Sequence, residues 1–502
     1  MRGLYVNANL DSLPHVKSFT EKHSRVLLLP RFNGCLIYSE REWQAPPVIQ
    51  VDGHELYVAG WFVYKSKRNA LSELLHDLIT NGIEVLKALE AGSFVGLWVS
   101  NGKLQVINDP FGLSSHYIDK LSANLKVAPA VRPLLSEHKI NAEMQDVLAA
   151  KQHMFGNFTL YDGIERLEPG SVTEVGCTEK YIDITKPSTV TLEAVSGEIE
   201  RLVDLWPKTE RVLPISSGMD SRLILASSEF SYGFTYGPEG SPEREIAQQY
   251  APLFDEYYGY EYKLGAGLEN KAEIIAEMSH GLLNPIGGLL SNYDYISQKF
   301  CKASAFFEGY LGDVLQRATY ITPKGWKGEL YKLFPFIYSL FSFSAETILK
   351  ARYSGCNARS LSKLLADFDE KTKHLNLTDY QKVTYYEFLY GRGGRYVIFG
   401  SNVMAAQCFS VIPPFASVGI FSAYINQNFS DAFRYKLLKN VWACTEDRFK
   451  KVKVESGYTP MTHHIFIPPV QLLYRVLFHL IPSRANYGIQ MQRENSKEQK
   501  KK

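Results

Sequence analysis

Six residues, Ser216-Ser217-Gly218-Met219-Asp220-Ser221, interrupt an apolar run that starts at Arg211 and resumes as a helical pattern through Leu225. The order predicts a strand, a tight loop and a helix start. Small residues let a backbone close around an anion. Hydroxyls and free amides at a helix N-terminus donate to phosphate oxygens, and the helix dipole favours negative charge there. Asp220 departs from that logic, because a carboxylate beside phosphates is repelled unless a divalent cation lies between them. The combination predicts ATP with Mg2+. A serine-rich turn before a helix is also an ordinary N-cap, so other segments must decide.

The order Ser-Ser-Gly-Met-Asp-Ser resembles the Ser-Gly-Gly-x-Asp-Ser pyrophosphate loop of the N-type ATP pyrophosphatases, which split ATP between the α and β phosphates to make an acyl-adenylate. Ser217 stands where that family has glycine. The resemblance implies that Ser216, Ser217, Gly218, Asp220 and Ser221 hold the pyrophosphate. Phe234-Thr235-Tyr236-Gly237, followed by Ser241 to Ala247, is similar to the family's second strand and next helix. That likeness implies that Thr235, Tyr236 and Gly237 line the adenine and ribose pocket. Phe307-Glu-Gly-Tyr-Leu-Gly-Asp313 resembles the loop that offers an amide, here at Gly309, to the nucleotide, and a second magnesium ligand, here Asp313, beside Asp220.

The N-terminal third narrows the resemblance to the asparagine synthetase superfamily, with its β-lactam synthetase, carbapenam synthetase and lasso-peptide cyclase relatives. Glu90 to Trp98, then Asn108-Asp-Pro-Phe-Gly112 and His116-Tyr117, is similar to a glutaminase-like domain, and Leu160 to Gly170 resembles its exit strand. The likeness covers roughly residues 1 to 460. It implies an α/β protein: an Ntn-type, glutaminase-like αββα sandwich, then an adenine-nucleotide α-hydrolase-like parallel-sheet synthetase domain with a helical C-terminal part.

The start of the chain departs from that pattern. Glutamine-hydrolysing relatives begin Met-Cys-Gly, and the exposed thiol attacks the amide. Here the order is Met1-Arg2-Gly3, and arginine cannot be a nucleophile. No Asn-Gly-Glu segment of the kind that holds glutamine is present either. Glutamine is therefore not expected to supply nitrogen. Gly309-Tyr310-Leu311-Gly312-Asp313 resembles the Gly-Tyr-Gly-x-Asp of β-lactam and carbapenam synthetases, where a tyrosine pairs with a glutamate to deprotonate the attacking amine. That implies a catalytic role for Tyr310, but the stretch from Arg395 to Val411 has no acidic residue and Glu387 is out of register. Relatives also place a lysine late in the synthetase domain. Lys451, in the cluster Arg448-Phe-Lys450-Lys451-Val-Lys453, gives the best register, with Arg392 and Arg395 next; a solvated helix end is the alternative.

At 502 residues the chain exceeds what one core usually organises. The expected division is a degenerate glutaminase-like domain over 1–185, an ATP-pyrophosphatase synthetase domain over 195–482 and a basic tail over 483–502. A net charge of +2 gives no field that would call for nucleic acid. Six scattered cysteines without a Cys-x-x-Cys pair argue against zinc and disulfides and suit the cytoplasm, as does the lack of a secretory signal in Met1 to Leu10. The runs Leu333 to Phe341 and Val470 to Ile481 are too short to span a bilayer. The second, followed by Lys497 and Lys500 to Lys502, leaves peripheral contact with anionic lipid as the lesser alternative to a core helix. Oligomeric state stays open, a homodimer included.

Together these features predict an AMP-forming, ATP-dependent amide ligase that adenylates a small-molecule carboxylate and passes it to an amine. The alternatives are an ammonia-using amidotransferase for a cell-surface glycan or natural product, and a catalytically inactive scaffold. A scaffold has no physical need for two carboxylates flanking a phosphate loop. Substrate contacts are expected from 282–295 and 392–415.

Overall fold

The structure is a computed structural model that describes residues 1–21, 23–261, 268–269, 271–279, 289–317, 319–321, 330, 334, 343–428, 431–432 and 434–480. The fold is mixed α/β, with several antiparallel sheets and one parallel sheet of five strands. All strands up to Lys180 pair antiparallel. The longest pair joins His54–Tyr64 to Leu89–Ser100, and Leu89–Ser100 in turn pairs with Lys103–Asn108. Alternation puts Leu56, Val58, Phe94 and Ile107 on one packed face, against Leu74, Leu75 and Leu78 of the helix Leu71–Asn81. The other face packs Tyr57, Val95, Leu97 and Val106 against Leu4, Val6 and Leu36 of the first strands.

The Asn108–Gly112 turn forms around one buried carboxylate. Asp109 accepts from the amides of Phe111, Leu113 and Ser114, and Gly112 takes φ +65°, where a side chain would strike Arg166. Arg166 donates to the Phe111 and Gly112 carbonyls and, across the molecule, to Leu389. The expected exit strand is shorter than Leu160 to Gly170: only Ile164–Arg166 pairs.

The parallel sheet is built from β1 (Arg211–Pro214), β2 (Phe230–Tyr236), β3 (Phe254–Tyr260), β4 (Ala305–Phe307) and β5 (Ser410–Ile412), in the spatial order 3-2-1-4-5. Leu213, Phe230, Ala305 and Phe307 join one core, and Val212, Phe234, Phe306 and Val411 the other, as expected for strands buried on both faces. The order reverses between β1 and β4. In open α/β sheets the crevice at such a reversal, beyond the carboxyl ends of the strands, is where ligands bind.

The helices Ala345–Arg352, Ala358–Thr372 and Asp379–Leu389 begin the mostly helical remainder. Arg392–Val403 follows as a wide, i→i+5 helix. Its tight entry needs glycine, since a side chain at Gly394 would overlap the Leu389 carbonyl oxygen. Of the two apolar runs, 333–341 lies outside the described residues apart from Phe334. The other lies in the helix Ile467–Leu480, where Leu472, Leu473, Val476 and Leu480 are exposed. The tail 483–502 also lies outside the described residues. Among those described, no helix is long and apolar enough to cross a membrane.

Candidate active site

The loops after β1 and β4 meet at the sheet reversal. The first loop leads into the helix Asp220–Ser227, whose start has no side-chain cap, in contrast to the helices capped by Asn141, Ser241 and Asn357. Its first amides have no partner within the helix and face the crevice end of the sheet. Within the loop Ser216 Oγ accepts from the Gly218 amide and stands 3.4 Å from Ser221 Oγ. Ser217, despite standing where glycine is usual, keeps a negative φ, so its side chain adds no backbone strain. Arg222 holds the loop shut from beneath: wholly buried, it donates to the carbonyls of Ser217 and Val452, each at 2.6 Å.

The second loop lies directly on the first. A side chain at Gly309 would come within 2.6 Å of the Ser221 amide nitrogen, and one at Gly312 within 2.7 Å of Asp220 Oδ1. Between these glycines Leu311 adopts φ +70°, the left-handed region that costs a branched side chain about 1 kcal/mol or more. It occupies the position of the second glycine in the Gly-Tyr-Gly-x-Asp pattern. Its buried side chain holds it there.

Asp220 and Asp313 lie close enough for their charges to interact. Burial pushes the Asp220 carboxyl above its ordinary value, Arg317 opposes the rise and Asp313 adds to it. Gln316 Nε2 donates to Asp220 Oδ1 at 2.8 Å and Arg317 Nη2 to Oδ2 at 3.1 Å. Two hard-oxygen carboxylates in one half-buried corner suit a magnesium ion, and here a guanidinium supplies balancing charge. Thr235, Tyr236 and Gly237 lie at the carboxyl end of β2, along the same sheet edge. Thr235 is buried, and Gly237 closes the strand by donating to the Tyr260 carbonyl.

Lys451 is the correction. Its side chain is 77 % exposed and pairs with Asp447 at 3.0 Å, one helical turn away. Lys450 donates to the Ala443 carbonyl, and Lys453 is exposed. Arg222 ties the chain at Val452 to the loop after β1, which brings the segment close, while Lys451 and Lys453 are exposed and Lys450 is held by a backbone carbonyl. Arg395 is spent on the carbonyls of Phe155, Gly156 and Phe158, and Arg392 lies over the Tyr396 ring. The cation placed at the carboxylates is Arg317. It follows Asp313 by four residues on the helix Gly312–Arg317, a spacing that puts both on one face.

The acid for Tyr310 was also missed. Glu387 is buried against Arg352 at 2.8 Å and the Arg392 amide; burial would raise its carboxyl, but these partners hold it below its ordinary value. Glu308 is the acid beside Tyr310. It is 1 % exposed, its Oε1 accepts from Ser401 at 2.6 Å and from Tyr293 at 3.5 Å, and its Oε2 is buried without a partner. The Tyr310 ring is 38 % exposed, yet its hydroxyl lies inward beside Ser401 and Tyr293; burial and Glu308 push it up to about 12. Of the predicted substrate region, 282–288 lies outside the described residues, while Tyr293 and Ser401 belong to this cluster.

Burial pushes the Glu308 carboxyl from 4.5 up to about 8. The folded protein therefore holds this proton more tightly than the unfolded chain. The resulting stability is complete below the unfolded value and is lost as pH rises through about 8. Glu308→Gln, neutral at every pH, should flatten the fall of melting temperature between about pH 5 and 8, removing roughly 2 kcal/mol or more of pH dependence. An unchanged slope in thermal melts across that range would count against the buried carboxyl.

At the N-terminus, Arg2 acts as a clamp. Its backbone amide donates to Gln407 Oε1, and its guanidinium donates to Ser24 Oγ and to the carbonyls of His23, Ala406 and Phe409. The adjoining cavity, lined by Met1, Glu42, Trp61, Ser93 and His116 among others, is about 60 Å³. That is space for about two waters and well below the ~300 Å³ from which ligand pockets start. Arg2→Ala should therefore cost roughly 2–4 kcal/mol by leaving buried carbonyls unpaired, read as a lowered unfolding midpoint. Neither protein should release glutamate from glutamine.

No protein-family model matches the chain, and no curated protein matches it.

Proposed function

We propose that this chain is an AMP-forming, ATP-dependent carbon–nitrogen ligase that adenylates a small-molecule carboxylate and transfers the acyl group to an amine. One observation carries the reading. At the reversal point of a 3-2-1-4-5 parallel sheet, an uncapped helix start and a glycine-gated loop press together and bring Asp220 to Asp313. On this reading the parallel sheet is an adenine-nucleotide α-hydrolase-like synthetase domain. The antiparallel part is a glutaminase-like Ntn sandwich that lacks its thiol, and the enzyme works on free metabolites in the cytoplasm.

When bound, Mg2+ and ATP would supply the electrophilic phosphorus and the counter-charge for departing pyrophosphate. Asp220 and Asp313 would hold the cation, with Arg317 released from Asp220 to face developing negative charge. The amides at the start of Asp220–Ser227 and the Ser216, Ser217 and Ser221 hydroxyls orient the phosphates. Gly218 and Gly309 leave room for close approach, and Thr235, Tyr236 and Gly237 sit where the nucleoside would lie. Glu308, Ser401, Tyr293 and Tyr310 form a buried proton path on the β4 side. Burial pushes its carboxyl up to about 8, which suits a base that takes a proton from an attacking ammonium group.

The test is magnesium-dependent exchange of labelled pyrophosphate into ATP, screened with a panel of amino acids and other small carboxylates, aspartate included. Exchange with one acid, and AMP as the nucleotide product, is expected. Release of ADP would overturn the adenylation reading.

A further inference from the structure

Away from the sheet reversal, three groups with unlike donor atoms converge: His23 in the turn before the strand Arg25–Leu29, Asp294 on the helix Leu289–Lys299, and Cys408 just before β5. The imidazole nitrogen, the carboxylate oxygen and the sulfur all lie within 4.8 Å of one another. Asp294 is 5 % and Cys408 1 % exposed. His23 Nε2 stands 3.3 Å from Asp294 Oδ1, the distance of an ion pair.

We propose that His23, Asp294 and Cys408 bind a zinc ion that links the N-terminal part of the chain to the part carrying the parallel sheet. Two nitrogen and oxygen ligands, each ~2.0 Å from a tetrahedral ion, stand about 3.3 Å apart, which is the separation found here. A histidine–aspartate ion pair alone leaves the buried thiol at the same point unexplained. The mixed nitrogen, oxygen and sulfur set selects a borderline ion and disfavours magnesium or calcium. Binding would release the thiol proton to solvent as the thiolate–metal bond forms.

Lys271, Arg2 and Arg41 are cations near the cluster, so the Asp294 carboxylate and the Cys408 thiolate must balance the ion's charge. Lys271 Nζ lies 3.7 Å from the other carboxylate oxygen, Oδ2. Arg2 approaches from the backbone side, donating to the His23 carbonyl at 2.7 Å, and Ser297 lies beside the Cys408 sulfur. Three protein ligands leave a fourth position for water, and the His23 side chain, 13 % exposed, is the route to solvent. The cysteine spacing argues against zinc in the sequence because these residues stand 271 and 114 positions apart without a short-spaced motif; only the fold brings them together.

The full chain, purified without an affinity tag and dialysed against zinc-buffered solution, should hold one zinc per chain by elemental analysis. Cys408→Ser and His23→Gln should hold almost none, while Cys444→Ser, at an exposed cysteine, should hold one. Chelation should lower the melting temperature of the wild type and leave that of Cys408→Ser where it was. Should either variant fail to fold, cobalt added to the zinc-free wild type gives an independent reading through a thiolate-to-cobalt charge-transfer band. A wild type that takes up no zinc, zinc retained in Cys408→Ser, or cobalt bound without that band would each overturn the proposal.

Discussion

Asp220→Ala should abolish pyrophosphate exchange, a loss of roughly a thousandfold or more, while the protein still folds. The carboxylate is the first residue of the helix that follows β1 and is pressed by Gly312 and held by Gln316 and Arg317. Removing it takes one of two carboxylates from the cation and leaves Arg317 facing the phosphates without restraint. A guanidinium can neutralise charge but cannot replace a metal ion that orients the leaving oxygens. Asp220→Asn separates the two effects, since the amide keeps the volume and the Gln316 contact but binds magnesium poorly; it should fail nearly as badly. Lys451→Ala is the matched control. Its ammonium lies in solvent against Asp447, so exchange should stay within about threefold of wild type, as expected for a surface substitution. Exchange that survives in Asp220→Asn would remove the metal site from the reading.

What the sequence made legible follows from the range of the forces involved. The strand, loop and helix around Ser216 to Ser221 depend on local rules, an apolar run broken by small polar residues, and the structure has them at those positions. Gly309 and Gly312 were legible as loop residues, but not the reason for them, which is contact with Asp220 and Ser221 some ninety residues earlier. Lys451 shows the opposite failure: a basic cluster at a helix end looks the same whether it faces a site or water, and only packing decides. Two misses had usable local signals. Arg317 lies one helical turn beyond Asp313 on the same face. Glu308 follows directly on β4 and precedes Tyr310 by two residues, so the local acid was visible in the sequence. Tyr293 and Ser401 had no local signal, since they reach Glu308 from separate helices across 15 and 93 positions of chain.

Tyr310→Phe and Glu308→Gln should leave pyrophosphate exchange within a fewfold of wild type and slow amide formation by roughly a hundred- to a thousandfold, the range of lost general-base catalysis. On the proposed reading the labour divides along β4. Adenylation would need the loop after β1 and the two aspartates and would move no proton through the Glu308 cluster. Amide formation begins with an amine that is mostly ammonium at neutral pH and must shed a proton as it attacks. A phenol raised to about 12 is too weakly acidic to stay ionised, so Tyr310 can only pass the proton on. Glu308, at about 8 and with Oε2 unpartnered, is the group able to keep it. The wild-type amide-forming rate should accordingly rise with pH through about 8, as the carboxyl ionises, and that limb should vanish in Glu308→Gln while remaining, at reduced height, in Tyr310→Phe. A merely structural Glu308 would lower both half-reactions together and leave the pH profile in place. Rapid-quench measurement of acyl-adenylate formation and of its consumption by a primary alkylamine acceptor, followed across that pH range in all three proteins, distinguishes the two roles.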